Sequence, residues 1–102
     1  MPYKLAYFKA AKNDIIHAKK WYYNIRHGLE KRFANDVKKA VNRLKVNPHI
    51  HAIRYKKNRI THPDVFPYSI HFYIDEVLHR IVIIGIVHNS RDPGFLKLRG
   101  EH

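Results

Sequence analysis

The chain has 102 residues, and 20 Lys and Arg against 8 Asp and Glu give it a formal charge of +12. That length suits one domain, residues 1–102, and so large a cationic excess points to polyanions or acidic proteins as partners. There is no cysteine, which excludes disulfide frameworks, thiolate nucleophiles and Cys-type zinc sites; no apolar run approaches the about 18 residues of a membrane span, and the N-terminus lacks a signal-peptide core, so a soluble cytoplasmic protein with no membrane partner is expected.

In chain order, "YKLAYF" at residues 3–8 alternates in a β-favouring composition and predicts a first strand packed on at least one face. Asn13 and Asp14 offer cap or first-turn chemistry for a helix, in which Ile15, Ala18, Tyr22, Ile25 and then Leu29 recur on one side. Trp21 and Tyr22 are expected in the core of the helical hairpin, and Gly28 marks the break to its second arm. There Leu29, Phe33, Val37, Ala40 and Leu44 make an apolar stripe, Lys31, Arg32, Lys38, Lys39 and Arg43 form a solvated basic side, and Asn47-Pro48 stops the helix.

After Pro48 the period changes. "IRYKKNRI" at 53–60 reads as a short basic strand. "FPYSIHFYI" at 66–74 alternates Tyr68, Ile70, Phe72 and Ile74 against Ser69, His71 and Tyr73. "RIVIIGIV" at 80–87 is apolar on both faces and belongs in the sheet interior, and "DEVLH" at 75–79 is the hairpin connection between these last two strands. The order is β-α-α-β-β-β, an α+β fold with the helices on one face of a small, mainly antiparallel sheet.

No Gly-rich phosphate loop, Walker motif, nucleophile elbow or HExxH is present, and four glycines leave little to build one. The nine histidines are too scattered for a local metal motif, and the carboxylates are too few for a two-metal nuclease, so neither a metal nor another cofactor is expected. What remains is a basic and aromatic set on the C-terminal strands: Arg54, Tyr55, Lys56, Lys57, Arg59, Tyr68, His71, Tyr73, His88 and Arg91. Strand alternation can put Lys57 and Arg59 on one face, and the exit of the last strand can bring His88 and Arg91 to a rim beside Arg59. Such a set suits a phosphate: attack by an RNA 2′-OH on its own phosphodiester needs a base, an acid and cations, and no metal. Holding an acidic partner chain explains the same residues equally well.

The element order, "WYYNI" late in the first helix, the spacing from Arg59 to "FPY" at 66–68, and an apolar strand ending in "HNSRDP" at 88–93 together resemble the RelE/ParE toxins of bacterial type II toxin–antitoxin systems, the plasmid stabilisation family. The resemblance covers nearly the whole chain. It implies a curved antiparallel sheet carrying a helical hairpin, and a cognate acidic antitoxin that neutralises the toxin. It also implies a target: the reading preferred from sequence is the ribosome and its mRNA, cleaved by a metal-independent endoribonuclease of the RelE kind, because Lys56, Lys57, Arg59, His88 and Arg91 make a complete metal-free set; the alternative is DNA gyrase, poisoned without catalysis by toxins of the ParE kind. An inactive module that only binds antitoxin is a third possibility. Under the nuclease reading the resemblance makes Arg59, His88 and Arg91 catalytic, with Arg54, Lys56, Lys57 and Tyr68 binding substrate.

Overall fold

Residues 2–99 are described by the structure, a computed structural model. Their elements are β1 (Lys4–Tyr7), α1 (Lys9–Ile25), α2 (Leu29–Leu44), a 3-10 turn (Pro48–Ile50), β2 (Ile53–Tyr55), β3 (Asn58–Thr61), β4 (Tyr68–Asp75), β5 (Arg80–His88) and a C-terminal 3-10 strap (Pro93–Leu98). The strands form one sheet in the order β1-β5-β4-β3-β2; β1 runs parallel to β5, and the other neighbours are antiparallel. This is the α+β arrangement expected, with β5 inside the sheet. Among the described residues no helix is long and apolar enough to cross a membrane.

Gly28 takes φ 99, a left-handed conformation that costs glycine little, and it sets α2 back along α1. The two helices cover one face of the sheet through Tyr22 and Phe33. Around Phe33 the ring centroids of Tyr22, Phe66 and Tyr68 lie at 5.3, 5.5 and 4.9 Å, an aromatic core in tilted and edge-on contact. By strand alternation Tyr68, Ile70 and Phe72 face the helices, while His71 and Tyr73 face the opposite, open side.

Four expectations are corrected. The stretch 53–60 is two strands: Tyr55 pairs with Asn58 across a turn at Lys56 and Lys57, with Lys56 at φ 49. A left-handed lysine carries no glycine or asparagine signal, so periodicity missed the hairpin. Trp21 lies outside the core, 64% exposed, while Tyr22 is buried; adjacent helical positions point about 100° apart, and only one of the pair can face the sheet. Ile25 is likewise exposed. Asp14 caps nothing, since α1 begins at Lys9; its carboxylate instead accepts from the Ile86 N–H at 3.0 Å and from both terminal nitrogens of Arg99 at 2.8 and 3.0 Å.

Two further contacts hold the loops. On α2, buried Asp36 accepts from the backbone N–H groups of Asp64, Val65 and Phe66 at 3.1, 2.9 and 2.7 Å, tying the β3–β4 connection to the helix. The strap closes over β5 at Gly85, where a Cβ would meet Leu96 Cδ2 at 2.5 Å and Arg99 Nη1 at 2.8 Å.

Asp36→Ala leaves three N–H groups without their charged acceptor and is expected to cost about 3 kcal/mol in chemical denaturation, with Asp36→Asn losing less because one acceptor remains. Gly85→Ala is expected to cost about 1–3 kcal/mol by overpacking against Leu96. Because both changes act on one contact, Gly85→Ala with Leu96→Ala should cost less than the sum of the single losses, which a double-mutant cycle measures.

Candidate functional site

The cations and histidine selected from sequence occupy three separate places. The first lies on the helix side. Arg59 pairs with Phe72 across β3 and β4, and its Nη1 donates to the His51 carbonyl at 2.7 Å, with the His51 ring edge-on to Phe72 at 6.0 Å. The guanidinium therefore fastens the segment after the 3-10 turn to the sheet. Burial, then His62, Arg59 and Arg43, push the His51 imidazole below its usual range.

The second place is a cleft of about 300 Å³ on the open face, between the β2–β3 turn and the strap. Lys57 Nζ sits 4.1 Å from the Tyr73 ring centroid, Lys56 Nζ donates to the Lys97 carbonyl at 3.4 Å, and Arg99 donates to the Ile84 carbonyl at 2.7 Å and closes the far wall. The turn thus separates Lys57 from Arg59, which a continuous strand would have put on one face. Exposed Arg54 lies on the edge strand beside this cleft. Beneath the same face Tyr55 Oη lies 2.9 Å from Nδ1 of His71, a ring only 1% exposed. Burial, then the neighbouring His62, Arg54 and Arg99, lower the His71 pKa to about 4.

The third place is the exit of β5. There His88, Arg91, Tyr68, His17 and Trp21 line a groove of about 220 Å³. Nδ1 of His88 accepts from the Ser90 N–H at 3.1 Å and lies 2.8 Å from Ser90 Oγ, so the neutral ring carries its hydrogen on Nε2. Tyr68 is buried, its ring edge-on to His88 at 5.2 Å; burial, with Tyr22 beside it, raises its phenol far above the usual tyrosine range. Asp92 accepts from Gly94 N–H at 2.9 Å and so caps the strap, while Arg91 stacks on Phe95 with 4.0 Å between guanidinium carbon and ring centroid.

Arg59 does not join this rim. It stands opposite Phe72 and His88 opposite Tyr68, four residues apart along β4 or roughly 13 Å, and on Arg59's side the backbone carbonyl of His51 already takes the guanidinium. Sequence reasoning missed Arg99 and assigned Asp14 only to helix capping; their 2.8 Å pair is 17% and 15% exposed. An isolated cation near a chain end and an isolated acid in a helix carry no pattern that links them. Among the described residues no three His, Asp or Glu side chains gather as a metal site.

A family model described as the ParE toxin of type II toxin–antitoxin systems, parDE, matches residues 5–93. Among solved structures, a chain of the chromosomal ParDE toxin–antitoxin system from P. aeruginosa superposes with a TM-score of 0.72 at 18% identity, over 84% of this chain and 95% of that one. A chain of the RelBE2 toxin–antitoxin complex from Mycobacterium tuberculosis does so with a TM-score of 0.62 at 19% identity, over 86% and 99%. At such identities the likeness is one of fold. No curated protein matches the chain in sequence.

His71 makes the fold acid-sensitive. Its folded pKa, about 4, lies below the 6.5 of an unperturbed imidazole, so between those values the unfolded chain binds the extra proton and stability falls as pH falls. The expected loss is about 3 kcal/mol between pH 7 and pH 4, and none above pH 7. His71→Phe should flatten this slope in urea titrations, whatever its effect at neutral pH.

Proposed function

The chain belongs to the ParE family of toxins of type II toxin–antitoxin systems, and on that premise we propose that it arrests growth by engaging DNA gyrase without cutting RNA, and that an acidic antitoxin keeps it neutral. The observation that carries the target is the separation of Arg59 from His88 and Arg91. Metal-free cleavage needs base, acid and cation within hydrogen-bond reach of one phosphodiester. A guanidinium committed to the His51 carbonyl, about four strand residues from the histidine, does not supply that. The net charge of +12 supports the acidic antitoxin, because a like-charged surface of this size gains most from an oppositely charged chain.

One observation favours the second reading, ribosome-dependent mRNA cleavage. The open-face cleft gathers Lys56, Lys57 and Arg99 around the Tyr73 ring, and cations beside an aromatic face suit an RNA chain.

Induction of the gene alone decides between them. Gyrase-linked DNA breaks with intact mRNA by primer extension are expected. His88→Gln, which keeps a hydrogen-bond donor but exchanges no proton, should retain toxicity. Ribosome-dependent cuts in mRNA, with toxicity lost in His88→Gln, would overturn the gyrase reading. Unchanged growth with tight antitoxin binding would reduce the protein to an antitoxin-binding module.

A further inference from the structure

The groove at the exit of β5 contains groups that neither the sheet nor the helical hairpin requires. On α1, His17 and Trp21 stand one turn apart on the side that turns toward β5, and Trp21 is 64% exposed although it is the only tryptophan in the chain. Across from them are His88 and Arg91, with Ala18, Tyr68 and Ile86 at the base. The single carboxylate in the lining, Asp14, is already taken by Arg99 and the Ile86 N–H. Arg91 is exposed, is steadied by Phe95, and forms no ion pair among the described residues. With Nδ1 of His88 turned to Ser90, the neutral imidazole presents Nε2–H as its remaining donor.

We propose that this groove binds one unpaired nucleotide of a single-stranded nucleic acid, with the base stacked on Trp21 and its phosphate held by Arg91 and the His88 Nε2–H. An exposed indole beside a guanidinium that has no ion pair and an imidazole donor, with no unpaired carboxylate among the described residues of the lining, has both halves of the chemistry that single strands offer: a π-face on every base and a charge on every linkage. An acidic peptide satisfies Arg91 but presents a flat ring to the indole only where an aromatic residue falls in register, whereas every nucleotide carries one. A volume of about 220 Å³ admits one base rather than a packed helix. The inference goes beyond the choice of target, since opened DNA and mRNA both provide unpaired nucleotides.

Because Trp21 is the lone tryptophan, its emission reports on the groove directly. The full chain is titrated with short oligothymidylate, oligouridylate, an abasic strand of equal length, and polyglutamate. Saturable quenching by either base-bearing strand is expected, and the one that saturates at lower concentration identifies DNA or RNA as the source. The abasic strand should bind through charge without quenching. In anisotropy with labelled oligonucleotide, Trp21→Ala and Arg91→Ala should each weaken binding about tenfold, and Trp21→Phe, which keeps a ring, should lose less. Absence of quenching by both base-bearing strands, or equal quenching by the abasic strand or by polyglutamate, overturns the proposal in favour of a general polyanion or acidic-protein surface. Circular dichroism confirms that each variant is folded. Trp21→Ala that loses binding yet keeps gyrase-linked breaks upholds the nucleotide groove and separates it from the target reading.

Discussion

The Asp14 carboxylate is the point on which the upper half of the structure depends. β1 pairs with β5 only from Arg80 to Ile83, so beyond Ile83 the outer edge of β5 has no strand to receive its N–H groups. α1 crosses there, and Asp14 replaces the missing strand by accepting from Ile86. An unpaired buried backbone donor costs as much as a lost hydrogen bond, and a charged acceptor strengthens the bond that is made. The second half of the same carboxylate takes Arg99, which brings the chain end back over the sheet. One acid thus fixes helix, strand and strap relative to one another. Neither charge is left unpaired, which in so sheltered a position would destabilise the fold strongly.

A bulge in β5 works in the same direction. His71 pairs with Gly85 and Phe72 with Ile83, so Ile84 is the extra residue. Bulged residues interrupt the ladder and re-aim the strand. Here the Ile84 carbonyl is satisfied by Arg99, and Gly85 opens the space that Leu96 fills. Strand irregularity, the glycine and the strap therefore form one device, which covers part of the open face and leaves the cleft at Lys57 and the groove at Trp21 on either side of it.

This division has consequences for function. Positive charge is spread over the protein, but its geometry differs from place to place: Arg59 serves the backbone, Lys57 and Arg99 flank Tyr73, and Arg91 stands beside an exposed indole. Electrostatic attraction to an acidic partner needs only the sum of these charges, whereas phosphodiester cleavage needs their convergence.

The sequence by itself determined the class of fold, both helices, β1, β4 and β5, the interior position of β5 and the basic character of the surface, because each is written in the periodicity or composition of a single segment. The apolar stripe of α2 and the alternation of "FPYSIHFYI" needed no knowledge of neighbours. Tertiary structure decided the rest. That Lys56 turns the chain, that Trp21 faces outward while Tyr22 faces in, that Arg59 meets His51, and that Asp14 meets Arg99 across 85 residues all depend on register and on which element ends adjoin. A pattern along one segment records which face is apolar; it holds no information about the distance between two segments, and the chemistry of this protein depends on those distances.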